Sequence, residues 1–190
     1  MDNENLIISY LGKNIGKSFT MHELSKLLRI PYASFYRTVQ RMEDILLIQK
    51  VGKSKTLRLN WDNPAIKAYL TIASHEEKKE YLQAHPIIRK IASEIDTKDI
   101  VLLFGSYAKG TENEKSDIDI LVINKDGKKA LSFSKHEMLY RKKINPVFIT
   151  KRELKNMLRA KEENIGKQAL ENHIILNNAE GYWGCVLDVR

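Results

Sequence analysis

The chain has 190 residues, of which 43% are hydrophobic, and its 32 Lys and Arg against 24 Asp and Glu give a formal net charge of +8. A single cysteine excludes an internal disulfide and a zinc site built on several thiolates, and no apolar run approaches the roughly 20 residues that span a bilayer. The N-terminal segment lacks the basic-then-apolar order of a secretory signal, so we expect a soluble, cytoplasmic protein with no membrane partner.

The first part of the chain predicts three short helices. Residues 3–12 carry apolar side chains at helical spacing. Thr20 and Glu23 have the spacing of a capping box, which predicts the start of a second helix. That helix must end before Pro31, because the residue preceding a proline avoids the helical region. A third helix is predicted over residues 31–44.

Two strands at 45–51 and 56–60 then form a predicted hairpin with a glycine in its turn. Residues 26–58 contain eight basic and two acidic residues, so they account for +6 of the net charge. Such concentrated positive charge is typical of binding to a phosphate backbone. The alternative is a solvated basic surface that binds nothing.

This order of helices and hairpin resembles the winged helix-turn-helix domains of bacterial and archaeal transcription regulators, over residues 1–61. In that arrangement the third helix enters the major groove and the hairpin lies against the backbone or the minor groove. The resemblance implies double-stranded DNA as a partner, and a homodimer is expected because such proteins often read two half-sites. The expected DNA contacts are Tyr32, Ser34, Arg37, Gln40, Arg41, Lys53 and Lys55.

Residues 62–97 predict a helical connector. Asp62 followed by Pro64 is a helix start signal, and we expect Tyr69 and Ile72 on the apolar face of the first helix. A second helix is predicted to begin at Pro86.

The next segment carries the chemistry. Residues 100–104 are a continuous apolar run typical of a buried strand, and Gly105 and Ser106 follow at once. Backbone amides beyond a strand end, at the start of a helix, bind phosphate. Ten residues separate Ser106 from Asp117, and Asp117 and Asp119 share one face of the following strand because side chains alternate along a strand. Two carboxylates on one face favour a bound cation, and Mg²⁺ prefers such oxygen ligands together with substrate phosphates. The alternative is an ordinary turn before a strand with two exposed aspartates.

The stretch GSYAKGTENEKSDIDILVI is similar to the Gly-Ser, ten residues, Asp-x-Asp signature of the nucleotidyltransferase superfamily, and most resembles its minimal members. The resemblance implies that Gly105, Ser106 and Lys109 bind a nucleoside triphosphate. It also implies that Asp117 and Asp119 are catalytic and hold Mg²⁺.

The chain departs from that pattern at the third carboxylate, which competent members carry on the next strand. The strand predicted at 144–149 has Asn145 at that position, and an amide supplies no charge. The outcomes left open are nucleotide binding without transfer, inefficient transfer, or a carboxylate from Glu112 or Glu114. Glu137 is expected to be a poor substitute, and Pro146 predicts an edge strand.

The C-terminal part predicts helices over residues 151–177. Thr150 and Glu153 form a second capping box. His173 is expected to be structural or on the surface, and residues 181–184 are predicted to form an aromatic turn.

The sequence therefore predicts an α+β protein with a winged helix-turn-helix domain at 1–61, a helical connector at 62–97 and a nucleotidyltransferase-like domain at 98–190. The last would be a mixed sheet with flanking helices. The predicted function is that of a DNA-binding transcription regulator whose second domain binds a nucleotide and is catalytically weak or inactive. The alternative is an active Mg²⁺-dependent nucleotidyltransferase that modifies a small molecule or a protein partner, as antitoxins among the minimal members do. A scaffold that binds neither ligand is the third interpretation.

Overall fold

The computed structural model describes residues 1–52 and 54–189, and the chain divides into two compact units, Met1–Glu77 and Lys78–Arg190. The boundary falls inside a long helix, and the three-part division expected from the sequence stays a prediction. Among the described residues, none of the helices combines the length and the apolar character needed to span a membrane.

The first unit consists of short helices and a small antiparallel sheet. Its elements are α1 (Asn3–Lys13), β1 (Phe19–Thr20), α2 (Met21–Leu27), α3 (Tyr32–Arg41), β2 (Leu46–Val51), β3 (Ser54–Leu59) and the first part of α4 (Ile66–Ala84). The sheet has the order β1-β3-β2. The capping box of Thr20 and Glu23 is present at the start of α2. Strand β1 has only 2 residues, too few for the alternation of apolar and polar side chains that predicts a strand.

Two assignments of helix faces in this unit differ from the prediction. Ser34 of α3 is an expected DNA contact, which requires an exposed side chain, but it is half-buried and its hydroxyl accepts a hydrogen bond from Asn3 Nδ2 at 3.2 Å. In α4, Tyr69 and Ile72 are 41% and 54% exposed. Leu70 lies at the buried face of α4 instead, because a helix with apolar residues on several sides does not reveal from sequence which side packs.

The second unit is a mixed sheet with helices. It contains α5 (Pro86–Ser93), β4 (Ile100–Phe104), α6 (Gly105–Lys109), β5 (Ile118–Asn124), α7 (Ser134–Tyr140), β6 (Ile144–Thr150), α8 (Lys151–Arg159), α9 (Ile165–Glu171), β7 (Ile174–Asn177) and α10 (Ala179–Leu187). The sheet order is β6-β5-β4-β7. β5 and β6 are parallel, while β4 is antiparallel to both β5 and β7. β6 is an edge strand, as Pro146 predicted.

The sheet is covered on both faces, which explains its continuous apolar runs. Val101 and Leu103 belong to a core cluster that includes Ile88 and Ile91 of α5. The alternate residue Leu102 points to the other face and is also fully buried.

The C-terminal segment is helical where the sequence predicted a turn. Residues 181–184 lie inside α10, and the Asn178 side chain caps that helix by accepting a hydrogen bond from the Gly181 amide. Tyr182 and Trp183 are 0% and 1% exposed. Burial of these two rings outweighs the poor helix propensity of the glycines around them. His173 is fully buried against the same rings, so it is structural.

Candidate functional site

One end of the sheet brings together the residues that the sequence singled out. Phe104, the last residue of β4, pairs with Asp119 near the start of β5. Asp119 in turn lies beside Asn145 of β6 in the parallel pair. Because β4 ends where β5 and β6 begin, Gly105, both aspartates and Asn145 lie at the same end.

Asn145 forms the centre of this cluster. Its Nδ2 donates hydrogen bonds to Asp117 Oδ2 at 3.1 Å and to Asp119 Oδ1 at 3.3 Å. The two aspartates flank Ile118, which is fully buried, so both carboxylates emerge on the opposite face of the strand. The position of the expected third carboxylate is thus occupied by a neutral donor that bridges the other two.

Gly105 lies directly against Asp119. Its φ is +70°, in the left-handed region that favours glycine, and a Cβ placed on it would lie 2.2 Å from Asp119 Oδ2. The space in front of that carboxylate therefore exists only because residue 105 has no side chain. Ser106 follows and is half-buried.

Lys143 is a member of the cluster that the sequence interpretation missed. Its Nζ lies 3.5 Å from Asp117 Oδ2, and the two side chains are 67% and 39% exposed. The sequence could have indicated this position. Lys143 stands two residues before Asn145, and side chains two apart along an extended chain point to the same face of the sheet. The exposed pair is weak and screened by solvent, so Lys143 can leave Asp117 when another cation arrives.

A second group of residues supports the helix that carries the Gly-Ser motif. The Tyr81 hydroxyl donates to the Tyr107 carbonyl oxygen of α6 at 3.0 Å. Burial, and secondly the charge of Glu112, raise the pKa of Tyr81, which keeps this donor protonated. The Tyr81 ring stacks on His85 at 3.8 Å between centroids, and His85 Nδ1 lies 2.8 Å from the Tyr81 carbonyl oxygen.

Two of the other carboxylates near the motif in sequence, those of Glu112 and Glu137, are engaged elsewhere. Glu112 Oε1 lies 3.3 Å from His85 Nε2. Glu137 Oε1 accepts a hydrogen bond from the Ile144 amide at 2.9 Å. Across residues 1–52 and 54–189, no hydrogen bond joins Glu112, Glu114 or Glu137 to either aspartate. Lys109 is exposed at the end of α6, and no salt bridge links it to the aspartates in this part of the chain.

The residues present fit a cation held by two carboxylates. Asp117 and Asp119 are hard oxygen ligands brought close by one shared donor, and their mutual repulsion favours a divalent ion. Within the described part of the chain, no cluster of three or more His, Cys, Asp or Glu side chains could hold a metal. Any Mg²⁺ at this site would therefore need phosphate oxygens and water to complete its ligands.

The residues expected to contact DNA fall on the first unit. Tyr32, Arg37, Gln40 and Lys55 are exposed, whereas Lys53 lies outside the described residues. The Arg37 Nε donates to the Ala33 carbonyl oxygen at 3.3 Å, within its own helix. Arg41 forms an exposed salt bridge with Glu4 at 3.1 Å. Such exposed pairs are weak and leave these side chains able to move to a ligand.

Comparison with known families supports the assignment of the second unit. Residues 85–176 match the family model described as "Nucleotidyltransferase domain". The matched segment contains the Gly-Ser turn, both aspartates and Asn145. No curated protein and no solved structure matches the chain significantly. This part of the chain is therefore similar to nucleotidyltransferase domains, and its mixed sheet with flanking helices fits that similarity.

Proposed function

We propose that the second unit binds a nucleoside triphosphate together with Mg²⁺ and transfers the nucleoside monophosphate to an acceptor. The observation that carries the proposal is the convergence of Gly105, Asp117 and Asp119 at one sheet end, within the segment that matches the family. The Gly-Ser turn offers backbone amides to the phosphates, and Lys109 extends from the same helix toward solvent, where it can reach a phosphate.

In the proposed reaction an acceptor oxygen attacks the α-phosphorus, the bond from that phosphorus to the β-phosphate oxygen breaks, and pyrophosphate leaves. The acceptor proton passes to solvent or to a nearby base. Bound Mg²⁺ would neutralise charge that develops on the phosphate oxygens. Asp117 and Asp119 would hold it, while Gly105 keeps the space before Asp119 open to the substrate.

Asn145 makes slow transfer the expected behaviour. A neutral amide adds no charge to attract the metal and cannot accept a proton as a carboxylate does. We expect nucleotide binding to persist, because the Gly-Ser turn and two aspartates remain. Transfer should fall well below that of an enzyme with three carboxylates.

The test combines calorimetry with ATP, GTP, CTP and UTP in Mg²⁺ and a transfer assay with α-labelled nucleotide. Acceptors offered would be small molecules and lysate proteins. The Mg²⁺-dependent part of nucleotide binding should be lost in Asp117→Asn and Asp119→Asn and retained in Asp96→Asn, a control that neutralises an exposed aspartate outside the site. Asn145→Asp should raise the transfer rate. The proposal would be refuted if none of the four nucleotides bound saturably to the wild-type protein in Mg²⁺.

A second candidate function concerns the first unit. We propose that it binds double-stranded DNA as a winged helix, so that the protein acts as a nucleotide-dependent regulator of transcription in the cytoplasm. Two observations favour this. The elements follow the order helix, strand, helix, helix, strand, strand with sheet order β1-β3-β2. The exposed surface of α3 and of the β2–β3 hairpin also carries much of the chain's excess positive charge.

DNA binding is tested by the dependence of affinity on salt. Arg37→Ala with Lys55→Ala should reduce the slope of log affinity against log salt by about one for each DNA phosphate that the variant no longer neutralises. Lys161→Ala, which removes an exposed charge from the second unit, should leave the slope unchanged. Sedimentation with a duplex containing two half-sites tests the proposed homodimer. A slope that is the same in the double variant and the wild type would show that α3 and the hairpin do not contact DNA.

A further inference from the structure

A cavity of about 630 Å³ opens at the end of the mixed sheet that lies opposite the aspartates. It is bounded by the start of β4, the ends of β5 and β6, the first residues of α8, and Asn178, the residue that caps α10. Its volume lies within the range of small-molecule sites. None of the residues assigned to the proposed nucleotide site lines it.

The strand register separates the two sites. Asp119 pairs with Phe104 and lies beside Asn145, whereas Asn124, five residues later, lies beside Thr150 at the cavity. Five residues of extended strand span roughly 17 Å. A ligand in the cavity would therefore be distinct from one at the Gly-Ser turn.

The lining of the cavity is strongly basic. Four cationic side chains, Lys98, Lys125, Lys151 and Arg152, face one carboxylate, that of Asp99. Across the described ranges, none of the four cations forms a salt bridge with an acidic side chain. Like charges that converge on one concave surface repel one another unless an anion joins them.

The carboxylate that follows Arg152 in the chain, that of Glu153, is already used by the backbone. Glu153 Oε2 accepts hydrogen bonds from the amide and the hydroxyl of Thr150 at 2.7 and 2.8 Å. These hydrogen bonds, the backbone one first, hold the pKa of Glu153 below its usual value. Glu153 thus caps α8, and the neighbouring charge of Arg152 contributes least to lowering its pKa.

Backbone amides add to the positive potential. Two helices of nine residues, α8 and α10, begin at the cavity, and their caps Thr150 and Asn178 both belong to its lining. The first amides of a helix have no partner within the helix and carry partial positive charge.

The cavity wall is held in place without a ligand. Asn124 is 6% exposed, and its side chain donates to the Lys128 carbonyl oxygen at 2.8 Å and accepts from the Gly127 amide at 2.7 Å. This fixes the turn that carries Lys125. Asn178 Nδ2 donates to the Lys98 carbonyl oxygen at 2.8 Å, which ties a second lysine to the start of α10. A site whose walls are preformed loses less entropy when it binds.

We propose that this cavity is a second anion site, which binds a phosphorylated small molecule of nucleotide size through Lys98, Lys125, Lys151 and Arg152. Its concave shape and limited volume favour a small molecule over a nucleic acid, whose backbone tracks along an extended groove. The proposal goes beyond nucleotidyl transfer and does not depend on it, because no residue is shared between the two sites.

Amide NMR of the full chain tests the proposal, with inorganic pyrophosphate and ATP as probes in the presence of EDTA. Both probes should shift the amide signals of Lys125, Lys151 and Arg152 in a saturable manner. Saturation should require a higher probe concentration as salt increases. Lys125→Ala with Arg152→Ala should weaken binding about fivefold or more. The matched control, Arg89→Ala with Lys161→Ala, removes the same charge from exposed positions outside the cavity and should leave the affinity unchanged.

Any of three outcomes would overturn the proposal. The first is that the cavity signals do not saturate, and the second is that the double variant binds the probes as tightly as the control. The third is that a DNA duplex saturates these signals while pyrophosphate does not, which would make the surface a nucleic-acid contact. Signals of Gly105 and Ser106 report the other site: they should stay unshifted in EDTA and shift when the ATP titration is repeated with Mg²⁺, so failure of one site is distinguished from failure of the other.

Discussion

Gly105 leaves no room for a side chain in front of Asp119, which yields a sharp prediction for Gly105→Ala. The substitution has two costs. A non-glycine residue at φ +70° is strained, by about 1–2 kcal/mol. In addition, the new Cβ would lie 2.2 Å from Asp119 Oδ2, so the carboxylate must move away from the place where it would bind a cation.

Gly110→Ala separates these two costs. Gly110 has φ +68°, almost the same as Gly105, and nothing lies within 4 Å of a Cβ added there. Denaturant unfolding should show a loss of about 1–2 kcal/mol for both variants. Calorimetry with Mg²⁺ and nucleotide should show an affinity loss of at least about tenfold, or about 1.4 kcal/mol, for Gly105→Ala alone. Equal nucleotide affinities in the two variants would refute the reasoning that Gly105 keeps the space before Asp119 open.

Three further predictions concern the second unit. Thr150→Ala removes the cap of α8 and should lower the free energy of unfolding by about 1 kcal/mol in denaturant melts. Hydrogen bonds from Lys90 and then Lys135 lower the pKa of Glu94 to about 2. The stability that the Glu94 carboxylate contributes should therefore be complete above the pKa that Glu94 has in the unfolded chain. It should be lost as pH falls toward 2, so Glu94→Gln should flatten the acid limb of a plot of unfolding free energy against pH. Cys185 is buried, and burial raises the pKa of its thiol, so a disulfide reagent should label it slowly in the native protein and rapidly in denaturant.

Local signals in the sequence predicted the elements that depend on neighbouring residues. Both capping boxes are present, because the side chain and the amide that it caps lie three residues apart. The run at 100–104 became the buried strand β4, since a strand covered on both faces has no polar side. By contrast, residues 181–184 predict a turn, and they are helical because Tyr182 and Trp183 are buried in the folded unit.

The sequence could not predict features that arise when strands from distant positions meet. The hydrogen bonds of Asn145 to both aspartates depend on how β6 is aligned with β5. No local sequence pattern predicts that alignment. The basic cavity likewise collects Lys98, Lys125 and Lys151 from three separate strand and helix ends. In the sequence these lysines appear as scattered surface charges, interspersed with acidic residues.

The register of β6 on β5 therefore controls both proposed sites. A slip of two residues would keep every side chain on its own face but would place Lys143 or Val147 beside Asp119 in the place of Asn145. Hydrogen bonds at the start of β6 oppose such a slip, since the Ile118 amide donates to the Lys143 carbonyl oxygen at 2.9 Å and the Ile144 amide donates to Glu137 Oε1 at 2.9 Å. Glu137 thus supports the site by holding the edge strand in register. Its carboxylate is committed to that backbone amide, which is why its nearness in sequence does not supply the missing third metal ligand.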